Sequence, residues 1–295
     1  MKLLGKELTI EGRLVRVGRL RAEGFEFVEE PNSVVADIAR SGNAMDLFTF
    51  VERLSARPPG CNYPMEWDNV AAMPISTFEH WWTQQISGKT RNMVRRSEKK
   101  GLIVREVAFD DALVKGIWEI YNECPVRQGR PFPHYGKDIE AVRQMSATFL
   151  DSSVFVGAFL GDRLVGFLKL TVDEARSQAA VMHIISLLAQ RDTAPMNALI
   201  AEAVRACEKR AIPYLVYSKF SYWKKQRDNL SDFKERNGFQ RVDVRRYYVP
   251  LTRRGRAALG LGLHHGLYGS IPEPMVAMLR RYRDMWYARV SAIGA

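Results

Sequence analysis

The spacing of hydrophobic and polar residues predicts strands and helices along most of the chain. Residues 8–20, LTIEGRLVRVGRL, alternate with a period of two, which predicts a strand. The segment AMDLFTFVERL (44–54) predicts a helix, and a loop rich in proline and glycine follows at 56–64. The first quarter of the chain therefore combines strand and helix signals.

The next segment predicts a helix, a basic helix and a strand. Ser76 or Thr77 can cap a helix through FEHWWTQQI, and the basic stretch TRNMVRRSEKK ends at Gly101. LIVREVAF then predicts a strand, and Asp110 or Asp111 can begin a helix whose apolar residues fall on one face.

The second half of the chain gives the clearest order of elements. A hairpin is predicted with a two-residue turn at Gly161–Asp162, because two apolar runs flank that pair. The predicted order is strands at 154–160, 163–173 and 179–189, a helix at 194–210, a strand at 212–220, a short helix within LSDFKERNGF and a strand at 240–251. Mixed strands and helices in this order predict an α/β protein.

The charge of the chain is concentrated in two segments. The 295 residues are 46% hydrophobic and 26% charged, which is typical of a globular protein, and the net charge is +11. Residues 89–105 contribute +6 and residues 251–295 contribute +5, so the rest of the chain is neutral. Two patches that face anions explain this distribution, and a solvated helix face is the alternative for each.

The absence of several sequence motifs argues against nucleotide hydrolases, metalloproteases and α/β-hydrolases. The sequence has no nucleotide-binding glycine loop, no HExxH and no GxSxG, and its cysteines and histidines lack zinc-site spacing, so we expect no metal. Cys61, Cys124 and Cys207 are interpreted as buried thiols. Without a signal peptide or an apolar run of membrane-spanning length, we expect a cytoplasmic protein.

Residues 274–290, PMVAMLRRYRDMWYARV, predict a basic amphipathic helix. Such a helix either docks on its own domain or lies on an anionic membrane. The second interpretation adds a peripheral position at the inner membrane surface to the predicted cytoplasmic location.

The order of elements in 154–250 resembles the GNAT acyltransferase fold, with GAFLGDRLVGFLKL as its hairpin and FKERNGFQRVDVRRYYVPL as its last helix–strand unit. A narrower similarity, covering about residues 75–250, is to the FemAB-like branch, through KTRNMVRRSEKKGLIVREV and LSDFKERNGF. The resemblance implies a mixed α/β sheet in two tandem GNAT-like units. These would be a degenerate N-terminal unit at 1–150, an acyltransferase unit at 151–252 and a basic helical tail at 253–295.

In GNAT enzymes the third of these strands splays from the next one, and acyl-CoA enters the gap with its pyrophosphate on the following helix. The resemblance thus implies acyl-CoA, such as acetyl-CoA, as donor, with aminoacyl-tRNA as the FemAB-like alternative. It assigns donor binding to the turn before the helix, the helix itself and one lysine: Leu187, Leu188, Gln190, Arg191, Thr193, Ala194, Asn197 and Lys234.

This turn departs from the family pattern, because QRDTAPMNAL contains no glycine. Glycine allows a pyrophosphate to approach the backbone closely. Thr193 or Asp192 can cap the helix instead, with Pro195 in its first turn. A capping aspartate would weaken an anion site built on the helix dipole. Because FemAB-like proteins often lack the glycine loop, the resemblance with this departure favours that branch.

Acyl transfer needs a base for the acceptor, donors for the oxyanion and an acid for the leaving group. His183, on the strand expected beside the gap, is the candidate base, and a core histidine is the alternative. Tyr217 is the candidate acid, and Lys219 shares its face; Glu123 completes the catalytic set. The polar residues in or near the 125–138 loop and at the strand end are candidates for binding the acceptor: Arg127, His134, Tyr135 and Tyr222.

Three functions remain open. The first is an acyltransferase that moves an acetyl or aminoacyl group to an amine or hydroxyl of a small molecule or of a cell-envelope or polysaccharide precursor. The second is an aminoacyl-tRNA-dependent peptidyltransferase, with tRNA held by the basic segment. The third is a non-catalytic GNAT scaffold that binds an anionic partner or a membrane surface through residues 274–290.

Overall fold

The computed structural model describes residues 2–3, 6–42, 45–54, 62–221 and 229–265, together with Met278 and Met285. The strands are β1 Lys2–Leu3, β2 Lys6–Glu11, β3 Val17–Leu20, β4 Leu47–Val51, β5 Met65–Pro74, β6 Leu102–Val107, β7 Val126–Arg127, β8 Arg130–Pro131, β9 Ser153–Leu160, β10 Arg163–Val172, β11 Ala179–Ser186, β12 Tyr214–Val216 and β13 Gln240–Pro250. The α-helices are α1 Pro31–Arg40, α2 Phe78–His80, α3 Gly88–Lys99, α4 Asp111–Tyr121, α5 Ile139–Ser146, α6 Pro195–Lys209, α7 Asn229–Arg236 and α8 Arg253–Gly260. Short turns of other helix types lie at Trp81–Gln85, Leu150–Ser152, Leu188–Thr193 and Leu263–His265.

The chain forms two compact units. One combines Met1–Val70 with Arg241–Leu279, and the other combines Ala71–Gln240 with Arg280–Ala295. These units end at different residues from the predicted domains. Position 150 lies inside the second unit because β6 pairs antiparallel with β9, so that residues on both sides of that position share one sheet.

The first unit is built on strands from both ends of the chain. β2 pairs antiparallel with β1 and β3, β3 runs parallel to β4, and β4 pairs antiparallel with β13. Phe48, Phe50 and Tyr247 stack in its core, beside Val34 and Ile38 of α1.

The second unit contains a mixed sheet with the strand order β6–β9–β10–β11–β12–β5. All neighbours are antiparallel except β11 and β12, which are parallel. The core combines apolar residues of the sheet with α4 and α6, and Gly116 of α4 lies directly against Leu164 of β10. A mixed α/β fold is therefore confirmed.

Most predicted elements of the second unit are present. The hairpin of β9 and β10 turns at Gly161, whose φ of 58° is left-handed, and Leu113, Ile117, Ile120 and Tyr121 of α4 are buried as the helical spacing predicts. Cys207 is buried and burial raises its pKa to about 12, which fits an inert thiol; Cys124 is half-buried, and Cys61 lies outside the described residues.

Two predictions near the N-terminus are wrong. Residues 44–54 do not form a helix, because Leu47–Val51 is β4, whose five residues are all buried between two neighbouring strands. Residues 8–20 form two strands instead of one, since the chain reverses between Glu11 and Val17 and pairs with itself. In both cases strand pairing decided the outcome over the local pattern.

Within the described part of the chain, no helix has both the length and the apolar character that crossing a lipid bilayer requires.

Candidate active site

The two parallel strands of the second unit separate after two residue pairs. β11 and β12 are paired only through Ala179 with Leu215 and Ala180 with Val216. Beyond these pairs each strand keeps its other neighbour. β11 follows β10 as far as Ser186, while Tyr217 donates its backbone N–H to Ala71 on the β5 side. A V-shaped gap therefore opens toward the carboxyl ends of the two strands, as the resemblance implied.

A β-bulge lies at the beginning of this gap. Lys169 of β10 is opposite His183, whereas Leu170 is opposite Val181, so Met182 is an extra residue in β11. Bulges redirect side chains and are frequent beside active sites. Residues 182–185 are half-buried although Ala179–Val181 are buried, because β12 no longer covers this edge.

His183 lies among aromatic rings on one side of this strand. Its ring is 6.4 Å from that of His134 and 6.5 Å from that of Phe167 between centroids, and His134 stacks on Tyr121 at 4.6 Å. Burial lowers the pKa of His183 to about 4, and the charges of Lys169 and His134 add to this effect. The imidazole is thus neutral at neutral pH, and it makes no hydrogen bond to another described residue.

Lys169 is a fully buried cation on the strand next to His183. Its Nζ donates to the carbonyls of Ser146, at 2.9 Å, and Thr148, and lies 5.4 Å from the centre of the Phe155 ring. Burial lowers the pKa of Lys169 to about 8. These contacts tie the end of α5 to the sheet, and the positive charge disfavours protonation of His183.

Glu123 and Arg127 fasten the turn that follows β11. Arg127 donates to the carbonyl of Ser186 at 2.8 Å and to Glu123 at 2.9 Å. The same carboxylate accepts the backbone N–H groups of Leu188, at 2.7 Å, and Ala189, at 3.0 Å. Glu123 and Arg127 therefore hold the turn after β11 in place, and their predicted roles toward substrate stay predictions.

The beginning of α6 differs from the prediction. Ala194 is the N-cap residue, in a left-handed conformation with φ 54°, and no side chain among the described residues caps the helix. Thr193 is buried and donates to the carbonyl of Gln190. Asp192 pairs with Lys100 instead of capping the helix, so the expectation that Asp192 or Thr193 caps α6 is wrong. Pro195 does occupy the first turn.

The basic helix α3 ends beside this turn. Arg96 lies 3.9 Å from Asp192, which Lys100 also contacts. Other cations of α3 have structural roles. Arg91 donates to the carbonyls of Trp82 and Ile86, both at 2.8 Å, and Arg95 lies 5.6 Å from the Trp82 ring. The cations of the predicted anion-facing patch at 89–105 are therefore partly engaged in contacts within the protein.

Tyr217 stands where the two strands separate. Lys234 is buried, with its Nζ 4.6 Å from the Tyr217 ring and 2.7 Å from the carbonyl of Lys219. This lysine therefore contacts the end of the strand that carries Tyr217 and Lys219. Its predicted contact with the donor stays a prediction. Tyr222 lies outside the described residues.

The remaining candidates are scattered. Leu187 is buried and donates to the Val165 carbonyl, and Asn197 donates to Asn237 at 3.0 Å. Arg191 and Tyr135 are exposed. Sequence reasoning missed Lys169, Tyr121 and Phe132, which surround His183 and His134. A lysine inside the apolar run VGFLKLTV was the one available signal for Lys169.

The splayed parallel pair within a mixed sheet defines a class, the GNAT-type α/β fold. FemX superposes with a TM-score of 0.56 at 9% identity, over 81% of this chain and 83% of that chain. The C-terminal domain (DUF2156) of a protein described as a lysylphosphatidylglycerol synthetase of Agrobacterium fabrum gives 0.54 at 11%, over 87% and 84%, and the L-PGS of Bacillus licheniformis gives 0.51 at 14%, over 81% and 80%.

These likenesses confirm the resemblance to the FemAB-like branch at the level of the fold. No protein-family model matches the sequence, and the comparison with curated proteins gives no match. Because a fold hosts many functions, the chemistry has to be argued from the site.

Proposed function

We propose that this protein is an acyltransferase that moves an acyl or aminoacyl group from a phosphate-containing donor to an amine or hydroxyl acceptor. The observation that carries the proposal is the separation of β11 and β12 after Ala180 and Val216. Unpaired backbone groups on the edge of a strand require partners. An extended donor tail with amide groups would supply those partners by adding to the sheet edge.

The donor's phosphates would lie at the amino end of α6. This helix has 15 residues and no capping side chain among the described residues, so the N–H groups of its first turn can bind an anion. Asp192 is held by Lys100, and Arg96 is nearby, so its negative charge is offset. The amides of Leu188 and Ala189 are already bound to Glu123, which limits the anion site to α6.

His183 is the proposed proton acceptor. The acceptor nitrogen or oxygen would bond to the donor's carbonyl carbon, and the carbonyl electron pair would move to its oxygen, where backbone N–H groups of β11 can stabilise it. A neutral His183 would take the proton that the acceptor loses. The carbon–sulfur or carbon–oxygen bond to the donor would then break, and Tyr217 would protonate the leaving atom.

The acceptor is proposed to enter from the side of His134, where aromatic rings surround His183. Tyr121, Phe132 and His134 form a continuous ring cluster there. Burial raises the pKa of Tyr121 to about 12, so its phenol stays protonated. The name of one structural neighbour, a lysylphosphatidylglycerol synthetase, favours a lipid as acceptor.

Thermal unfolding with acetyl-CoA and longer acyl-CoAs tests the donor site. Saturation at a hundredfold excess over the dissociation constant would stabilise the protein by about 2.7 kcal/mol. Met196→Glu places a carboxylate in the first turn of α6, so it should repel the phosphates while the helix dipole tolerates it. Met196→Gln is the matched control and should retain the stabilisation.

In turnover assays with the donor identified in this way, His183→Gln should lower kcat by roughly 100-fold to 10,000-fold. Stabilisation by charged tRNA and not by any thioester would shift the donor to aminoacyl-tRNA. If neither donor stabilises the protein, the non-catalytic scaffold becomes the better interpretation.

Aminoacyl-tRNA is the second candidate donor, and one observation favours it. The end of α3 places Arg96 and Lys100 beside the turn that leads into α6, at the entrance of the gap. Cations at that place suit a donor whose phosphates extend beyond the site.

A further inference from the structure

Two adjacent histidines and a distant glutamate meet in the first unit. Glu66 lies near the start of β5, and His264 and His265 lie on the helical turn Leu263–His265 after α8. The Nε2 atom of His264 is 2.9 Å from one carboxylate oxygen of Glu66, and the Nε2 atom of His265 is 3.1 Å from the other. One ligand atom from each residue lies within 4.8 Å of the other two.

The three groups share one small volume. Two imidazole nitrogens face one carboxylate, so either a ring proton or a cation lies between each nitrogen and its oxygen. The two rings are 3.9 Å apart between centroids, so both nitrogens are presented to the same volume. A single divalent cation would satisfy all three groups at once.

Two nitrogen–oxygen distances are close to those of a zinc site. Bonds of about 2.0–2.2 Å from zinc to imidazole nitrogen and carboxylate oxygen imply ligand atoms roughly 3.3 Å apart in a tetrahedral site. The observed distances are 2.9 and 3.1 Å, each to a different carboxylate oxygen of Glu66, so each pair would widen by only a few tenths of an ångström.

The surroundings hold the ligands in place. The His264 side chain is 3% exposed and its ring lies 4.6 Å from that of Tyr248, whose hydroxyl hydrogen-bonds to Glu66. Nδ1 of His264 is buried and has no hydrogen-bond partner among the described residues, so the ring proton can reside there and leave the Nε2 lone pair directed at the centre.

We propose that Glu66, His264 and His265 bind a divalent transition metal, with zinc as the expected ion. Imidazole and carboxylate ligands suit zinc, and three protein ligands leave a fourth position for water. The site lies in a different unit from the gap between β11 and β12, so it is independent of the proposed transferase function.

The experiment is zinc titration of the full chain after chelator treatment, by calorimetry and by competition with a chromophoric chelator. We expect one zinc ion per chain, and we expect Glu66→Gln and His265→Ala each to weaken binding by at least roughly tenfold. His265→Cys should still bind zinc, because a thiolate is also a zinc ligand. If the three residues only shared hydrogen bonds, the cysteine variant would not bind zinc.

His80→Ala is the control, because His80 is an exposed histidine of the other unit. The zinc affinity of this variant should equal that of the unchanged protein. If His265→Ala reduces folding, the unchanged chain and the Glu66→Gln variant are each loaded with cobalt, and their visible absorption spectra are compared instead. Less than one equivalent of bound zinc, or equal affinity in Glu66→Gln, His265→Ala and the unchanged chain, would overturn the proposal.

Discussion

At the scale of single residues, burial decides which ionisable groups can take part in chemistry. His183 lies in an apolar strand, and the sequence around it is compatible with two roles, a catalytic base and a histidine of the core. In the structure its ring faces Lys169 and His134 and lies half-buried at the edge of the gap. Burial lowers the pKa of His183 most, and these neighbours, 14 and 49 positions away in the chain, lower it further.

The ring of His183 should stay neutral across the physiological range. Its pKa is lowered to about 4 from an ordinary value near 6.5, so protonation favours the unfolded chain. This contribution to stability is complete above pH 6.5 and is lost as the pH falls toward 4. The imidazole proton resonances that His183→Gln removes should keep their positions in NMR spectra recorded between pH 8 and pH 6.

Arg246 is the residue on which the first unit depends most for its buried charges. Its guanidinium donates two bonds to Glu23 and one to Asp68, all at 2.9 Å, and these carboxylates raise its pKa although burial opposes this. Arg246→Leu would remove the cationic partner of two half-buried carboxylates and should cost about 3–5 kcal/mol. Urea unfolding measures this loss.

The control is Arg241→Leu on the same strand. Its partner Asp243 and Arg241 itself are each 54% exposed, so the change should stay within about 1 kcal/mol. Equal losses in the two variants would contradict the structural role given to Arg246.

At the scale of elements, close packing sets positions that helix propensity would leave free. A Cβ atom built on Gly116 of α4 would lie 2.6 Å from Cδ2 and 2.8 Å from Cβ of Leu164 on β10. The helix can approach the sheet this closely because position 116 has no side chain.

Gly116→Ala should destabilise the protein by about 1–3 kcal/mol, because overpacking outweighs the gain in helix propensity of about 1 kcal/mol. Gly260→Ala in α8 is the control, because no described atom outside the helix's own backbone lies within 4 Å of a Cβ atom built there, and it should be neutral or slightly stabilising. Thermal unfolding of both variants measures the difference. A stable Gly116→Ala protein would mean that α4 can move away from β10.

At the scale of the whole molecule, the net charge of +11 is the property that bears most on the choice of donor. Arg91 and Arg95 are occupied by Trp82 and by nearby carbonyls, so only part of the basic segment is available for phosphates. The tail at 274–290, which supplied the membrane hypothesis, lies outside the described residues apart from Met278 and Met285.

If tRNA is the donor carrier, its affinity should fall steeply with salt. Each phosphate contact contributes about 0.9 to the slope of log affinity against log salt for a duplex. Arg96→Gln combined with Lys99→Gln should therefore lower the slope by roughly two, measured by filter binding. Lys115→Gln, on the exposed side of α4, is the control. An unchanged slope in the double variant would argue against α3 as the tRNA surface.

The order of elements from 153 to 250 followed from the sequence, because strand and helix periods are local properties of neighbouring residues. The glycines at 161 and 101 marked a turn and a helix end correctly for the same reason, since their left-handed backbone favours glycine. The cap of α6 could not be predicted, because whether Asp192 caps the helix or pairs with Lys100, 92 positions away, depends on packing.

The sequence by itself determined the mixed α/β character, the hairpin, the buried strand with its following helix and the resemblance that they carry. Only the tertiary structure decided where β11 leaves β12, which brings His183 to an open edge, and which groups neutralise one another, such as Glu123 with Arg127 or Glu66 with two histidines. Periodicity reports how a segment faces a core, whereas pairing between residues far apart in the chain depends on the geometry of the folded sheet.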